Sequence, residues 1–185
     1  MPPKPKYTKE EIFETAFCIV KENGMSCLTA RSLAFELGTS TAPIFTAFSS
    51  IEEIQNLIID RAWKIYSEEY FNVGFSGSLP FKGAGLKYIQ FAKDYPELFK
   101  ILFMQGKGEE FTHFFPKGDP NAPTIIKTVK NNYKLDENKA KGLYNHLSVY
   151  VHGLAVMYAQ GQCVYTMEDV SEMLSEVFNA LKGKM

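Results

Sequence analysis

Thr8-x-x-Glu11, Ser50-x-x-Glu53 and Thr166-x-x-Asp169 each set a hydroxyl residue three positions ahead of an acid. Apolar residues recurring every three or four positions follow each pair. That spacing opens α-helices. The hydroxyl oxygen accepts from the backbone N–H three residues on, and the acid reaches back to the first residue's N–H. Two donors that a helix leaves unpaired are thereby satisfied. No segment shows the sustained apolar–polar alternation of a half-buried strand. The pattern predicts an all-α fold of about nine helices.

Residues 1–7 are rich in Pro and Lys and read as a mobile arm. From Thr8, the residues Ile12, Phe13, Ala16, Phe17 and Val20 mark one buried helical face, and Gly24 is the stop, in the left-handed conformation. Thr29 caps a second helix that Gly38 ends. Ser40 caps a third, with Pro43 in its first turn and Ile44 and Phe48 turned inward. Ser50 opens a fourth, to about residue 70. The glycine-rich residues 73–85 (VGFSGSLPFKGAG) read as a loop. Helices follow over 86–93, from Pro96 to about 105, over 124–133, from Asp136 to about 160, and over 167–181, with residues 116–123 a proline-rich loop.

Hydrophobic residues make up 45% of the 185, enough for a sizeable core. The formal net charge is -1, so any nucleic-acid affinity has to come from a local patch. In the first fifty residues Lys4, Lys6, Lys9, Lys21 and Arg31 are matched by Glu10, Glu11, Glu14, Glu22 and Glu36. Cys18, Cys27 and Cys163 are far apart, which fits reduced thiols. No apolar leader and no membrane-length apolar run is found, so the expectation is a soluble cytoplasmic protein without membrane association.

Residues 28–54 (LTARSLAFELGTSTAPIFTAFSSIEEI) set two short helices around a glycine turn, the layout of a helix-turn-helix, which lays one short helix in the DNA major groove. The spacing of Ala16, Gly24, Leu28-Thr29-x-Arg31-x-Leu33-Ala34, Leu37-Gly38-x-Ser40, Ile44-Phe45, Phe48 and Glu52-Glu53-Ile54 carries a resemblance. Thr8 to Leu57 resembles the N-terminal domain of the tetracycline-repressor (TetR) family of bacterial regulators. Tyr95-Pro96-Glu97-Leu98-Phe99 and Tyr150-Val151-His152-Gly153-Leu154-Ala155 are similar to the C-terminal domains of one subgroup. The resemblance implies a DNA-binding domain over 1–50 and a ligand-binding and dimerisation domain over 51–185, with helix 51–70 connecting them. It implies a recognition helix contributing Ser40, Thr41, Ala42, Pro43, Phe45 and Thr46, and phosphate contacts from Thr29 and Arg31. A hydroxyl at a helix start suits a phosphate, and Thr and Ala fit against thymine methyls. The chain departs from the family pattern at Phe45 (usually Tyr), Ala47 (often His) and Ile51 (usually Lys). Each departure removes a group that could hold the DNA backbone. Lys4, Lys6 and Lys9 are the candidates to compensate.

The second half is dense in aromatic residues and methionines, which suits a helical bundle around an apolar pocket. Candidate ligand-binding residues are Phe91, Phe99, Phe103, Met104, Phe114, Tyr144, Tyr150 and His152, with His113 and His146 as further polar candidates. Plain core packing is the other reading of each. HExxH, GxSxG and P-loop motifs are absent, and His146 and His152 stand nearly opposite on a helix, so neither catalysis, a metal nor a cofactor is expected. Wide apolar stripes over Leu143–Tyr158 and Val170–Leu181 are the family's dimer-forming helices by resemblance. The expectation is a homodimeric regulator, a repressor, of double-stranded palindromic operator DNA under a small apolar or aromatic effector. The alternative is a helical ligand-binding or interaction module with little DNA affinity.

Overall fold

The computed structural model describes residues 7–75, 80–104 and 121–183. Its helices are α1 (Lys9–Asn23), α2 (Ala30–Glu36), α3 (Ala42–Ala47), α4 (Ile51–Ile65), α5 (Asn72–Phe75), α6 (Pro80–Asp94), α7 (Pro96–Phe103), α8 (Ala122–Tyr133), α9 (Glu137–Ala159) and α10 (Met167–Lys182). A π-helical stretch, Tyr66–Phe71, joins α4 to α5 without a break, so the described residues form nine helices. They contain no strand, and the fold is all-α. Among them no helix is long and apolar enough to cross a membrane.

The caps at Thr8 and Thr166 form as the spacing predicts. Thr8 Oγ1 accepts from Glu11 N at 3.1 Å, and Thr8 N donates to Glu11 Oε2 at 2.7 Å. The Ser50 box is only half made. Ser50 Oγ accepts from Glu53 N, but the Glu53 carboxylate turns to Ser49 N at 2.7 Å and Lys9 Nζ at 2.9 Å. An ammonium within reach makes a charge-assisted bond stronger than the return contact to Ser50 would be. Gly24 ends α1, but at φ 85, ψ 165 rather than in the left-handed helical region. That region is open essentially to glycine alone. A Cβ there would also stand 2.6 Å from Glu97 Oε2 on α7.

The glycine-rich residues 73–85 are a correction to the sequence reading: apart from 76–79, outside the described residues, they are helical. Their glycines serve contact between helices. A Cβ on Gly74 would lie 2.5 Å from the Gly83 carbonyl oxygen, so α5 and α6 cross backbone against backbone. Helix α6 therefore begins at Pro80, and α8 likewise begins earlier than expected, at Ala122 with Pro123 in its first turn. Most of the loop expected over 116–123 lies outside the described residues.

Helix α6 is the hub, packed against the π-helical stretch and α5, α7, α8, α9 and α10, while α1 packs on α2, α4 and α7. The buried side chains form one continuous cluster from Ile12 to Leu174.

Candidate functional site

The helix-turn-helix is built by local hydrogen bonds. Thr29 caps α2, its Oγ1 accepting from Ser32 N at 3.0 Å while Thr29 N donates to Ser32 Oγ at 2.9 Å. The Thr29 hydroxyl is thus engaged within the fold. At the other end Gly38 takes φ 60, Gly38 N donates to Phe35 O and Thr39 N to Ala34 O, both at 3.0 Å. This pair of bonds closes the helix and reverses the chain, and it needs a residue that tolerates positive φ. Around Gly38 nothing lies within 4 Å of a Cβ position, so glycine is there for its backbone alone.

Helix α3 follows with its inner and outer faces well separated. Ile44 is fully buried and Phe48 nearly so. Burial of Ile44 contributes about 2–3 kcal/mol and fixes the rotation of the helix. Ala42, Phe45 and Thr46 point outward, with Ser40 exposed beside them and Thr41 and Pro43 half-buried. The cap is Thr41, not Ser40, and it makes no side-chain hydrogen bond. Thr41 has helical dihedrals, so the chain is already turning one residue after Ser40. Thr46 Oγ1 donates to Ala42 O at 2.9 Å, leaving its lone pairs outward.

The outer face of α3 carries no charge. Arg31 on α2 is exposed and has no ion-pair partner among the described residues. Lys9 is held by Glu53 at 2.9 Å and lies over the Phe48 ring at 4.4 Å, so it braces α1 against α4. Lys4 and Lys6 lie outside the described residues. Of the three departures from the family pattern, Phe45 is 49% exposed, whereas Ala47 and Ile51 are half-buried and packed on the core. One contact escaped sequence reading: the Tyr7 hydroxyl donates to Leu37 O, tying the start of the described chain to the turn. No local signal marks so distant a pair.

In the second half, most of the expected ligand residues fill space for one another. Phe91 and Phe99 are fully buried and Phe103 almost so. Ring centroids stand 5.2 Å apart for Phe99–Phe103 and 4.8 Å for Tyr88–Phe103, with Tyr66 and Trp63 completing the cluster. His152 is half-buried at its rim, its Nδ1 2.9 Å from Tyr88 Oη, and burial pushes its pKa below the usual imidazole value. Tyr150 and Met104 are half-buried, and His146 is exposed. Phe114 and His113 lie outside the described residues.

The open space lies beside that cluster. A cavity of about 250 Å³ sits between α6, α8, α9 and α10, walled by Phe81, Tyr133, Leu147, Val151, Leu174 and Phe178, with Lys82, Ser175 and Asn179 as its polar groups. A smaller one of about 40 Å³ shares Phe81, Gly85 and Val151 with it and is bounded by Tyr144, among the described residues the one expected ligand residue that lines either space. The wall residues Tyr133 and Phe178 were legible only as apolar positions on helices.

Among the described residues no cluster of His, Cys, Asp and Glu could hold a metal ion. Compared with protein-family models and with curated proteins, the chain matches none.

Proposed function

We propose that the protein is a DNA-binding transcriptional regulator of the tetracycline-repressor kind, acting in the cytoplasm as a homodimeric repressor on a palindromic operator. The observation that carries the reading is the α2–Gly38–α3 unit, closed by its glycine turn and presenting Ser40, Ala42, Phe45 and Thr46 outward. A short helix held by one buried residue and open on the other side is what entry into a major groove requires. Arg31, exposed on the neighbouring α2, flanks it for the phosphates. One such helix is too small for operator affinity, so two copies about 34 Å apart are needed.

The effector is a small, mainly apolar molecule in the cavity beside α6. It acts by population shift, favouring one arrangement of the bundle over another. The route runs through α6, which touches α5 at Gly83–Gly74, and from there along the continuous rod back to α4 and the reading head. The π-helical stretch Tyr66–Phe71 is the wide turn in that rod, held to α6 by the Tyr70 hydroxyl donating to Asp94 Oδ2 at 2.9 Å.

The test is an electrophoretic shift with the DNA upstream of the protein's own coding sequence, over a salt series. A regulator gives a shift at low salt and a steep loss as salt rises. No shift at low salt from a confirmed dimer sinks the reading. A second reading, a ligand-binding module with little DNA affinity, is favoured by one observation: the α3 face is uncharged and Lys9 is occupied. It predicts almost no salt-dependent binding to any duplex.

A further inference from the structure

We propose that the cavity of about 250 Å³ beside α6 takes an amphiphilic monocarboxylate, its apolar body among the α8, α9 and α10 side chains and its carboxylate on Lys82. The inference deepens the effector part of the reading above, and rests on it for the bundle being a ligand domain. It does not depend on DNA binding.

The argument begins with proton bookkeeping at Ser175. Its hydroxyl has one proton, which it donates to Ser171 O at 3.0 Å within α10. Its lone pairs are therefore what Lys82 meets, and Lys82 Nζ donates to Ser175 Oγ at 2.8 Å. An ammonium has three donors and one is used here. No carboxylate lies within ion-pair reach of Lys82 among the described residues. A cation is thus fixed on a cavity wall by a neutral hydroxyl, with no counter-charge and no second acceptor among the described residues. One turn beyond Ser175, Asn179 adds an amide to the same wall.

A second cation, the exposed Lys182, lies over the ring of one wall residue. Lys182 Nζ lies 4.9 Å from the centroid of Tyr133, itself a wall residue, and it too has no carboxylate partner among the described residues. On the wall of an apolar cavity, Lys82, an ammonium without a carboxylate partner among the described residues, favours an anion with an apolar body over a neutral apolar molecule. A carboxylate can accept from both remaining Lys82 donors in charge-assisted bonds. The cavity, about 250 Å³, has room for roughly eight water volumes, hence a ligand of about eight to twelve non-hydrogen atoms. Octanoate falls in that range.

The experiment is titration calorimetry on the full chain without DNA, using octanoate, 1-octanol and octylammonium. Octanoate binds the unaltered protein one to one and more tightly than octanol. Lys82→Gln, at a half-buried position and with the polar contact to Ser175 still available, weakens octanoate about tenfold or more and leaves octanol unchanged. Lys82→Glu rejects octanoate and takes octylammonium. If octanol binds as well as octanoate, or Lys82→Gln leaves octanoate affinity intact, the anionic anchor is wrong while the apolar ligand pocket stands. If none of the three probes binds, the pocket reading falls with it. A failed operator shift, by contrast, leaves the calorimetric result untouched.

Discussion

The carbonyl oxygen of Gly74 stands 2.1 Å from where a Cβ on Gly83 would be placed. The two backbones touch, and neither partner is the end of a flexible side chain. Gly83→Ala therefore forces α5 and α6 apart. Overpacking of this kind costs about 1–3 kcal/mol, against which the better helix propensity of Ala returns less than about 1 kcal/mol. A net loss of about 1–2 kcal/mol lowers the melting temperature by about 3–6 °C in a chain of this size. Thermal unfolding followed by circular dichroism reads it directly, and an unchanged or higher midpoint would mean the crossing is looser than described.

That contact also marks where sequence reading stops. Glycines clustered over 73–85 look like a loop because glycine serves both a turn and a close approach, and only the second helix decides which. The features that were legible are those settled within a few residues: the Thr8, Thr29 and Thr166 caps, and the positive φ at Gly38. Where a partner comes from afar, local pattern misleads. Lys9, 44 positions from Glu53, draws the carboxylate away from Ser50. The same holds for the ligand space. Phe91, Phe99 and Phe103 have the composition of a pocket lining, yet their rings fill one another's gaps, and the cavity opens where Lys82, Tyr133 and Phe178 meet from three helices.

His152 makes stability depend on pH in a window that opens above that of the carboxylates. Burial lowers the pKa of the folded imidazole from its ordinary 6.5, and its Nδ1 shares a hydrogen bond of 2.9 Å with the Tyr88 hydroxyl. The unfolded ring takes a proton as pH falls through 6.5 and the folded ring resists, so the unfolded chain binds more protons there. Stability is accordingly full above 6.5 and declines from 6.5 down to the lowered folded value. Glu53, held down to about 2 chiefly by its bond from Lys9, acts in a lower window: its contribution is present above the unfolded value of 4.5 and is lost as pH falls towards 2. His152→Gln keeps an acceptor for Tyr88 and abolishes the upper decline. Urea midpoints measured at closely spaced pH values between 7 and the carboxylate range test this, and an identical slope in the variant would remove His152 as its source.

Phe45 occupies an outward position on α3 without a group that can bond a phosphate. Under the proposed function, Phe45→Tyr adds a hydroxyl to an already exposed ring and tightens duplex binding about three- to tenfold, the net worth of one added solvent-exposed hydrogen bond. Arg31→Ala, on the neighbouring helix, weakens binding to all sequences alike and reduces the salt slope by about one for each reading head. Fluorescence anisotropy with operator and scrambled duplexes separates the two. Were neither variant to move affinity, α2 and α3 would not be the DNA-contacting face.

Gly153 lies in the middle of α9, exposed, with nothing within 4 Å of a Cβ position, and Val149 one turn earlier is 40% exposed. A glycine inside a long helix weakens it by about 0.5–1 kcal/mol relative to Ala, so in an isolated protomer it is a cost without a contact to offset it. A second copy of α9 laid on this face would supply that contact, since the missing side chain lets backbones approach. The two substitutions at this position therefore diverge. Gly153→Ala helps the helix and intrudes little. Gly153→Arg keeps the helical signal, because space around it in the protomer is open, but places a charged side chain where the partner's helix would lie. Sedimentation equilibrium should find the unaltered protein dimeric and Gly153→Arg monomeric, with duplex affinity falling in step because one reading head is lost. If Gly153→Arg remains a dimer of unchanged affinity, the two-fold contact lies on another surface, and the glycine has no role in holding the copies together.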